Sequence, residues 1–140
     1  AVSDQVVRVL DANSVKLQRA GIVKLAGAQT PTIGLPECFD MSPSARLRRE
    51  LPNGARVDVT VVDEARHRAV ITRTGAPTSV NEALVAGGWA KAASGTGADK
   101  AMFASLQVRQ REAQARHVGV WATCDGPPGV NSVYEPVGGA

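Results

Sequence analysis

Five short segments of the chain are apolar runs rich in β-branched residues or alternate apolar with polar positions, as β-strands do. The clearest case is ARVDVTVVD (55–63), where Val57, Val59 and Val61 fall on one face and polar residues fall on the other. Short turn sequences, among them PNG before this segment, separate the apolar runs. The five predicted strands are 6–10, 14–19, 22–27, 55–63 and 66–73.

Three other segments space their apolar residues three or four positions apart, which is typical of an amphipathic helix. The first segment, SARLRREL (44–51), follows Ser42 and Pro43, and a serine cap with proline directly after it is a common helix start. The second, SVNEALVAGG (79–88), stops at paired glycines. The third extends from Asp99, which is the predicted cap, to about His117. The predicted order of elements is β-β-β-α-β-β-α-α.

The number and order of these elements indicate a fold class. Five short strands with a helix after the third fit a small Greek-key barrel of the OB type, because closing the barrel removes exposed strand edges. The sequence therefore predicts an α+β fold dominated by a five-stranded barrel with three helices, in a single domain over residues 1–124. Residues 125–140 are rich in Gly and Pro and are predicted to form a tail on the surface or against a partner.

Composition places the chain among ordinary globular proteins. Of its 140 residues, 44% are hydrophobic and 21% are charged, as in a single compact domain. No apolar run approaches the roughly 18 residues that cross a bilayer, so no membrane span is predicted. The formal charge of +3 permits contact with phosphates, but the 16 basic residues are scattered among 13 acidic ones. A solvated basic surface without a nucleic-acid partner is the favoured interpretation.

The start of the chain suggests processing. It begins AVSDQ, with no initiator Met and no apolar segment of a signal peptide. We therefore expect a mature chain, in an exported or organellar compartment such as a plastid.

The two cysteines, Cys38 and Cys124, have no neighbouring Cys or His at the spacing of a zinc site. A disulfide between them would join the loop after the third strand to the C-terminal segment, and this bridge is our prediction. Two reduced thiols are the alternative.

Aromatic residues and histidines are interpreted as structural. The large rings sit in motifs that we interpret as framework or on a helical apolar face, and we predict that they pack in the core rather than stack on bases. Neither histidine has a neighbouring acid or nucleophile in sequence, so both are interpreted as surface or packing residues. The residues concerned are Phe39, Trp89, Phe103 and Trp121, and His67 and His117.

Several segments together suggest a family. DANSVKL resembles the motif D-G-D-T-V-K-L, KLAGAQTP resembles R-L-x-G-I-D-T-P-E, and ECFDMSPSA resembles E-C-F-G-x-E-A-S. RHRAVI resembles a Y-G-R strand, VNEALVAGGWAKA matches V-N-E-x-L-V-x-x-G-x-A, and EAQARHVGVWATC matches E-x-x-A-R-x-x-x-G-L-W-x-x-C. In this order, over roughly residues 6–124, they resemble the staphylococcal-nuclease-like (thermonuclease-like) family. The resemblance implies an OB barrel that carries three helices.

The family hydrolyses nucleic-acid phosphodiester bonds with Ca²⁺, held by two aspartates and a threonine carbonyl, and with a glutamate as general base. By this resemblance the metal positions are Asn13, Gln29 and Thr30, and the base position is Thr32. Both carboxylates are replaced by amides, and Ca²⁺ affinity depends on ligand charge, so no Ca²⁺ binding is expected. A threonine hydroxyl does not act as a base near neutral pH. Glu37 is the one nearby acid that could replace it.

The family also binds the phosphate with two arginines. The first corresponds to Lys24, which keeps the charge but lacks the planar bidentate fork, and the second is retained as Arg68. The aromatic wall that stacks on a nucleotide falls near Arg66, Ser94 and Thr96, none of which carries a ring. The resemblance therefore implies that the substrate pocket is lost together with the catalytic groups.

These changes indicate a non-catalytic domain, a pseudoenzyme that serves as a binding or scaffold subunit on a larger protein assembly, in part through the tail 125–140. One alternative is an OB domain that still binds nucleic acid, or another anion, through Lys24, Arg66, Arg68 and the RLRR segment (46–49). The other is an active nuclease with rearranged metal ligands. Enzymatic activity is not expected, and Ca²⁺ would be a cofactor only under this last alternative.

Overall fold

Five strands close into a barrel, and three helices surround it. The computed structural model describes residues 1–30, 42–95 and 97–121. The predicted α+β fold, dominated by a five-stranded barrel with three helices, is confirmed. The strands are β1 (Val2–Asp11), β2 (Ser14–Leu17), β3 (Gly21–Leu25), β4 (Ala28–Gln29), β5 (Arg56–Asp63), β6 (Arg68–Arg73) and β7 (Lys91–Ala92), and the helices are α1 (Pro43–Glu50), α2 (Val80–Ala86), α3 (Lys100–Arg116) and a 3-10 turn (Gly119–Trp121).

The barrel strands follow the order β1-β2-β3-β6-β5, and β5 pairs again with β1. Strands β1, β2 and β3 form the predicted antiparallel meander, and β5 pairs antiparallel with β6. The contact between β3 and β6 is parallel and pairs Lys24 with Arg68 and Leu25 with Ala69. This is the strand order of an OB-type barrel.

The barrel interior is filled by aliphatic side chains from alternate strand positions. On β5, Val57 and Val59 are buried as the alternation predicts, and Val61 is packed at the edge of the same cluster. Burying one such side chain contributes about 1.5–3 kcal/mol. The helices complete the core with Leu47, Leu51, Leu84, Val85 and Leu106.

The aromatic residues that the structure describes are structural, as predicted. Trp89 and Trp121 are buried, and Phe103 packs half-buried against the barrel cluster. His67 and His117 are exposed, and both have the left-handed backbone conformation that ends a turn or a helix. These side chains therefore belong to the framework or the surface rather than to a base-stacking site.

Each α-helix begins at a residue whose side chain satisfies a free backbone N–H. The side chains of Ser42, Ser79 and Asp99 accept hydrogen bonds of 3.2, 3.1 and 2.8 Å from the N–H three residues later. Such caps contribute about 1 kcal/mol each. The helix starts predicted at Ser42 and Asp99 are confirmed.

The strands differ from the sequence prediction at several of their ends, since β2 and β3 stop at Leu17 and Leu25 and β6 begins only at Arg68. β1 begins at Val2 rather than at residue 6, because its first residues pair with β5. A small second sheet, β4 with β7, was not predicted, and it pairs Gln29 with Lys91. Each of its strands has two residues, too few to show a period of two in the sequence.

Some predictions fall on parts of the chain that the structure does not describe. The disulfide between Cys38 and Cys124, the tail 125–140 and the core position of Phe39 all lie outside the described residues and stay predictions. No helix in the described ranges is long and apolar enough to cross a membrane.

The carboxylate of Asp4 ties the start of β1 to the turn between β2 and β3. Its Oδ1 accepts the backbone N–H of Gln5 at 2.7 Å and that of Arg19 at 2.9 Å, and its Oδ2 accepts the N–H of Ala20 at 2.9 Å. Partial burial raises the pKa of this carboxyl, but the hydrogen bonds from Arg19, Ala20 and Gln5 together outweigh burial, so the pKa lies below its usual value.

This hydrogen bonding predicts a pH dependence of stability. A depressed folded-state pKa stabilises the fold above the unfolded pKa of about 3.9, and the stabilisation is lost as the pH falls through the folded value. Asp4→Asn should lower the free energy of unfolding by about 1–2 kcal/mol at pH 7 and by less in acid. Urea unfolding at several pH values measures both effects, with Glu64→Gln as an exposed control. Equal losses at pH 7 and in acid would contradict the role of the carboxylate.

Candidate functional site

Three residues from the predicted site meet where β3 joins β6. β2 pairs Ser14 with Lys24, and β3 in turn pairs Lys24 with Arg68. The backbone N–H of Leu25 donates to the carbonyl of Asn13 at 2.9 Å, which holds the turn between β1 and β2 against β3. We call the four residues Asn13, Ser14, Lys24 and Arg68 the barrel mouth.

The barrel mouth carries two cations on adjacent strands. Lys24 is exposed and Arg68 is half-buried, and neither forms an ion pair with a carboxylate of the described residues. Asp63 is the strand neighbour of Arg68, but its Oδ1 accepts the N–H of Arg66 at 3.1 Å. The Nε of Arg68 is buried without a hydrogen-bond partner in the described part of the chain. This pair of charges suits a small anion.

Two backbone segments border the barrel mouth. The carbonyl of His67, which ends the turn before β6, accepts the N–H of Lys24 at 2.8 Å. On the other side, a Cβ built on Gly97 would lie 3.3 Å from the Cβ of Arg68, so this segment lies directly against the arginine. Arg66 and Ser94 are exposed and carry no ring, and Thr96 lies outside the described residues. The described positions that the resemblance assigns to an aromatic wall therefore carry no ring on which a base could stack.

The three residues that the resemblance assigns to the metal are held in different ways. The backbone N–H of Asn13 donates to Oδ1 of Asp11 at 3.0 Å, and the Asn13 Oδ1 accepts a long, 3.4 Å bond from the hydroxyl of Ser14. Gln29 is exposed on β4, where it pairs with Lys91 of β7. Thr30 is buried directly after β4. The structure therefore brings Asn13 to the barrel mouth and places Gln29 in the small second sheet.

These donors do not fit a Ca²⁺ site. Calcium takes six to eight oxygen ligands and is held mainly by carboxylates. Asn13 and Gln29 offer neutral amide oxygens, and one oxygen of Asp11 already accepts a backbone hydrogen bond. Within residues 1–30, 42–95 and 97–121, no group of three or more His, Cys, Asp or Glu could hold a metal ion. Thr32 and Glu37 lie outside these ranges.

Asn81 supports the barrel mouth from behind, and the sequence analysis missed it. The side chain is fully buried; its Oδ1 accepts the N–H of Ile71 at 3.0 Å, and its Nδ2 donates to the carbonyls of Ala26 and Ala69 at 2.8 and 3.1 Å. It thereby fastens α2 to the ends of β3 and β6. The signal available in the sequence was an uncharged polar residue directly after Val80 in the first turn of the predicted helix.

Gln110 is a second buried polar residue that was missed. Its Oε1 accepts the N–H of Ala92 on β7 at 2.7 Å, which joins α3 to the small second sheet. The Nε2 is buried and has no partner among the described residues. Helical spacing could have revealed its position, since Leu106, Gln110 and Ala113 share one face of α3.

Comparison of the chain with known protein families finds no match, and comparison with curated proteins finds none either. The class of protein is therefore defined by the fold and the site alone. It is an α+β protein with an OB-type barrel, whose mouth carries a lysine and an arginine on adjacent strands.

Proposed function

We propose that the chain is a catalytically inactive member of the staphylococcal-nuclease-like family, which serves as a binding or scaffold subunit on a larger protein assembly. The observation that carries this proposal is the chemistry at the barrel mouth. Lys24 and Arg68 lie side by side, while Asn13 and Gln29 offer amides where hydrolysis through Ca²⁺ needs carboxylates. A phosphate could be held there, but the described groups offer no means to activate water.

The framework around this site supports the same proposal. The barrel closes, the helices are capped, and Asn81 makes three hydrogen bonds between α2 and the barrel strands. A fold that has lost its catalytic donors but keeps its buried polar network retains a rigid surface. Such a surface can serve in binding, and this is the function that we assign to it.

Native purification of tagged protein tests the scaffold role. We expect the chain to elute at fixed stoichiometry with other proteins, well above the 14.6 kDa of the monomer. The complex should persist after nuclease treatment, because the contacts are with protein. Elution as a 14.6 kDa monomer, or loss of the complex after nuclease treatment, would contradict the proposal.

Calcium titration tests the loss of catalysis. Wild-type protein should show no saturable Ca²⁺ binding and no Ca²⁺-dependent cleavage of single-stranded DNA. Asn13→Asp with Gln29→Asp restores carboxylates at the two positions that the resemblance assigns to the metal, and should yield binding with a Kd of about 10⁻⁴–10⁻³ M, the range of weak protein calcium sites. The matched control is Gln18→Asp with Asn53→Asp, which adds the same charge at exposed positions. Calorimetry measures binding, and cleavage by the wild-type chain would establish the active-nuclease alternative.

One observation favours a second candidate function, residual nucleic-acid binding. Lys24 and Arg68 have no carboxylate partner in the described part of the chain and lie one strand apart. The RLRR segment contributes less than the sequence suggested. Arg46 pairs with Glu50 at 2.7 Å and lies over the ring of Trp89. Leu47, the next residue of the segment, is buried. Salt-dependent binding of labelled DNA without cleavage would support this candidate.

A further inference from the structure

The outer surface of the meander carries a band of cations that crosses the strands. Arg8 on β1 lies opposite Lys16 on β2, and Lys16 lies opposite Ile22 on β3. Lys24 follows Ile22 on the same face of β3. Neighbouring strands are about 4.8 Å apart, and same-face positions on one strand are about 6.8 Å apart. Successive cations are therefore about 5 to 8 Å apart, which brackets the spacing of alternate side chains in an extended chain.

A β-bulge adds an apolar residue to this surface. The register between β1 and β2 shifts between Val6 and Arg8, so two residues of β1 oppose one residue of β2. As a result Val7 and Arg8 are both exposed, although they are neighbours in a strand. We call the exposed residues Val7, Arg8, Lys16, Ile22 and Lys24 the basic sheet face.

The charges of the basic sheet face are not neutralised by described residues. None of Arg8, Lys16 and Lys24 forms an ion pair with a described carboxylate. The acids nearest in the strands are engaged elsewhere, since Asp4 accepts three backbone N–H groups and Asp11 accepts one. The face therefore presents uncompensated positive charge to a partner.

Aliphatic side chains accompany these charges. Ile22 is 55% exposed and Val7 is 41% exposed, and they are among the most exposed large apolar residues of the described chain. Within the part of the chain that the structure describes, no aromatic residue lies on the face. Because sequence-independent binding of single-stranded nucleic acid relies on aromatic rings that stack on bases, this combination favours a partner whose carboxylates are carried on aliphatic stems, as in glutamate.

We propose that the basic sheet face docks an extended acidic segment of a partner protein, with glutamates at alternate positions whose carboxylates pair with Arg8, Lys16 and Lys24 and whose methylene groups pack on Ile22. The proposal rests on the proposed scaffold function and names the chemistry of its partner. A second copy of the chain is disfavoured as the occupant, because it would bring the same cations together.

Fluorescence anisotropy with synthetic probes tests this proposal on the full chain. The probes are a labelled peptide of alternating glutamate and valine, a peptide of the same composition with its glutamates in one block, and an oligothymidine of equal charge. We expect the alternating peptide to bind most tightly. The triple variant Arg8→Gln, Lys16→Gln, Lys24→Gln should weaken this binding about tenfold, since each exposed ion pair contributes modestly.

Matched variants separate position from net charge. Arg73→Gln, Lys100→Gln, Arg111→Gln removes the same charge from exposed positions outside the face and should change the affinity less than about twofold. Ile22→Thr keeps a β-branched residue and should weaken the alternating peptide about threefold without affecting oligothymidine. Val2→Thr is its exposed control on β1. Unchanged urea midpoints show that each variant is folded.

Three results would overturn the proposal. They are an equal loss of affinity for the alternating peptide in both triple variants, tighter binding of oligothymidine than of the alternating peptide, and no binding of any probe at low salt. Native purification of the variant Arg8→Gln, Lys16→Gln, Lys24→Gln distinguishes failure of the docking proposal from failure of the scaffold role. If the variant still elutes in the assembly of the wild-type chain, the scaffold function stands and this face is not its docking surface. If the wild-type chain elutes alone, the scaffold function itself fails.

Discussion

Gly88→Ala is expected to lower the free energy of unfolding by about 2–5 kcal/mol, with about 1–2 kcal/mol from the left-handed backbone and about 1–3 kcal/mol from steric overlap. Gly88 follows α2 with φ +76°, and a Cβ there would overlap the carbonyl of Val118. Gly119 lies directly opposite with φ +61°. The N–H of Val120 donates to the carbonyl of Gly88 at 2.9 Å, so the two segments cannot separate without losing this bond.

A matched substitution isolates the steric part of this effect. Gly75 also has a positive φ, +88°, but no atom lies within 4 Å of the Cβ that alanine would add. Gly75→Ala should therefore lower the free energy of unfolding only through the left-handed backbone conformation, by about 1–2 kcal/mol. Urea unfolding of both variants gives the comparison. Equal losses of stability for Gly88→Ala and Gly75→Ala would show that the segments around Gly88 and Gly119 are not tightly packed.

Asn81→Ala should lower the free energy of unfolding by about 2–5 kcal/mol. It would leave the buried N–H of Ile71 and the buried carbonyl of Ala26 without the partners they have in the structure, and each buried polar group left unpaired costs about 1–3 kcal/mol. The carbonyl of Ala69 loses less, because it also accepts the N–H of Ala26 at 2.9 Å. Urea unfolding at pH 7 measures the loss.

Asn81→Asp provides the matched control. At pH 7 a carboxylate would still accept the N–H of Ile71, but it would also face the carbonyls of Ala26 and Ala69 and destabilise the fold. Burial would raise the pKa of the introduced carboxyl, so its protonation in acid would restore a donor. Relative to wild type, this variant should recover stability as the pH falls, whereas Asn81→Ala should not. The same pH profile for both variants would contradict the hydrogen-bond assignment.

The sequence predicted the fold well because its main determinants are local. Alternation at Val57 and Val59 and the caps at Ser42 and Asp99 act over a few residues, and each appears where it was expected. The small second sheet was missed because the pairing of Gln29 with Lys91 joins distant parts of the chain and is too short to leave a pattern. The bulge beside Arg8 depends on the register with a partner strand and was equally hidden.

The candidate site was predictable only in part. Lys24 and Arg68 were assigned through the resemblance, and their pairing across β3 and β6 follows from barrel closure, which periodicity alone does not show. The sequence analysis did not single out Asn81, because a sequence does not show which backbone groups a side chain will reach. The buried position of Gln110 was overlooked for the same reason.

The parallel contact between β3 and β6 links occupancy of the barrel mouth to the integrity of the barrel. In the described chain this contact joins only Lys24 with Arg68 and Leu25 with Ala69, so few hydrogen bonds hold the closure there. An anion that touches both Lys24 and Arg68 would bridge the two strands from outside. Any such ligand would stabilise the closed barrel by mass action, so the resistance of the barrel to unfolding would rise with the concentration of the ligand.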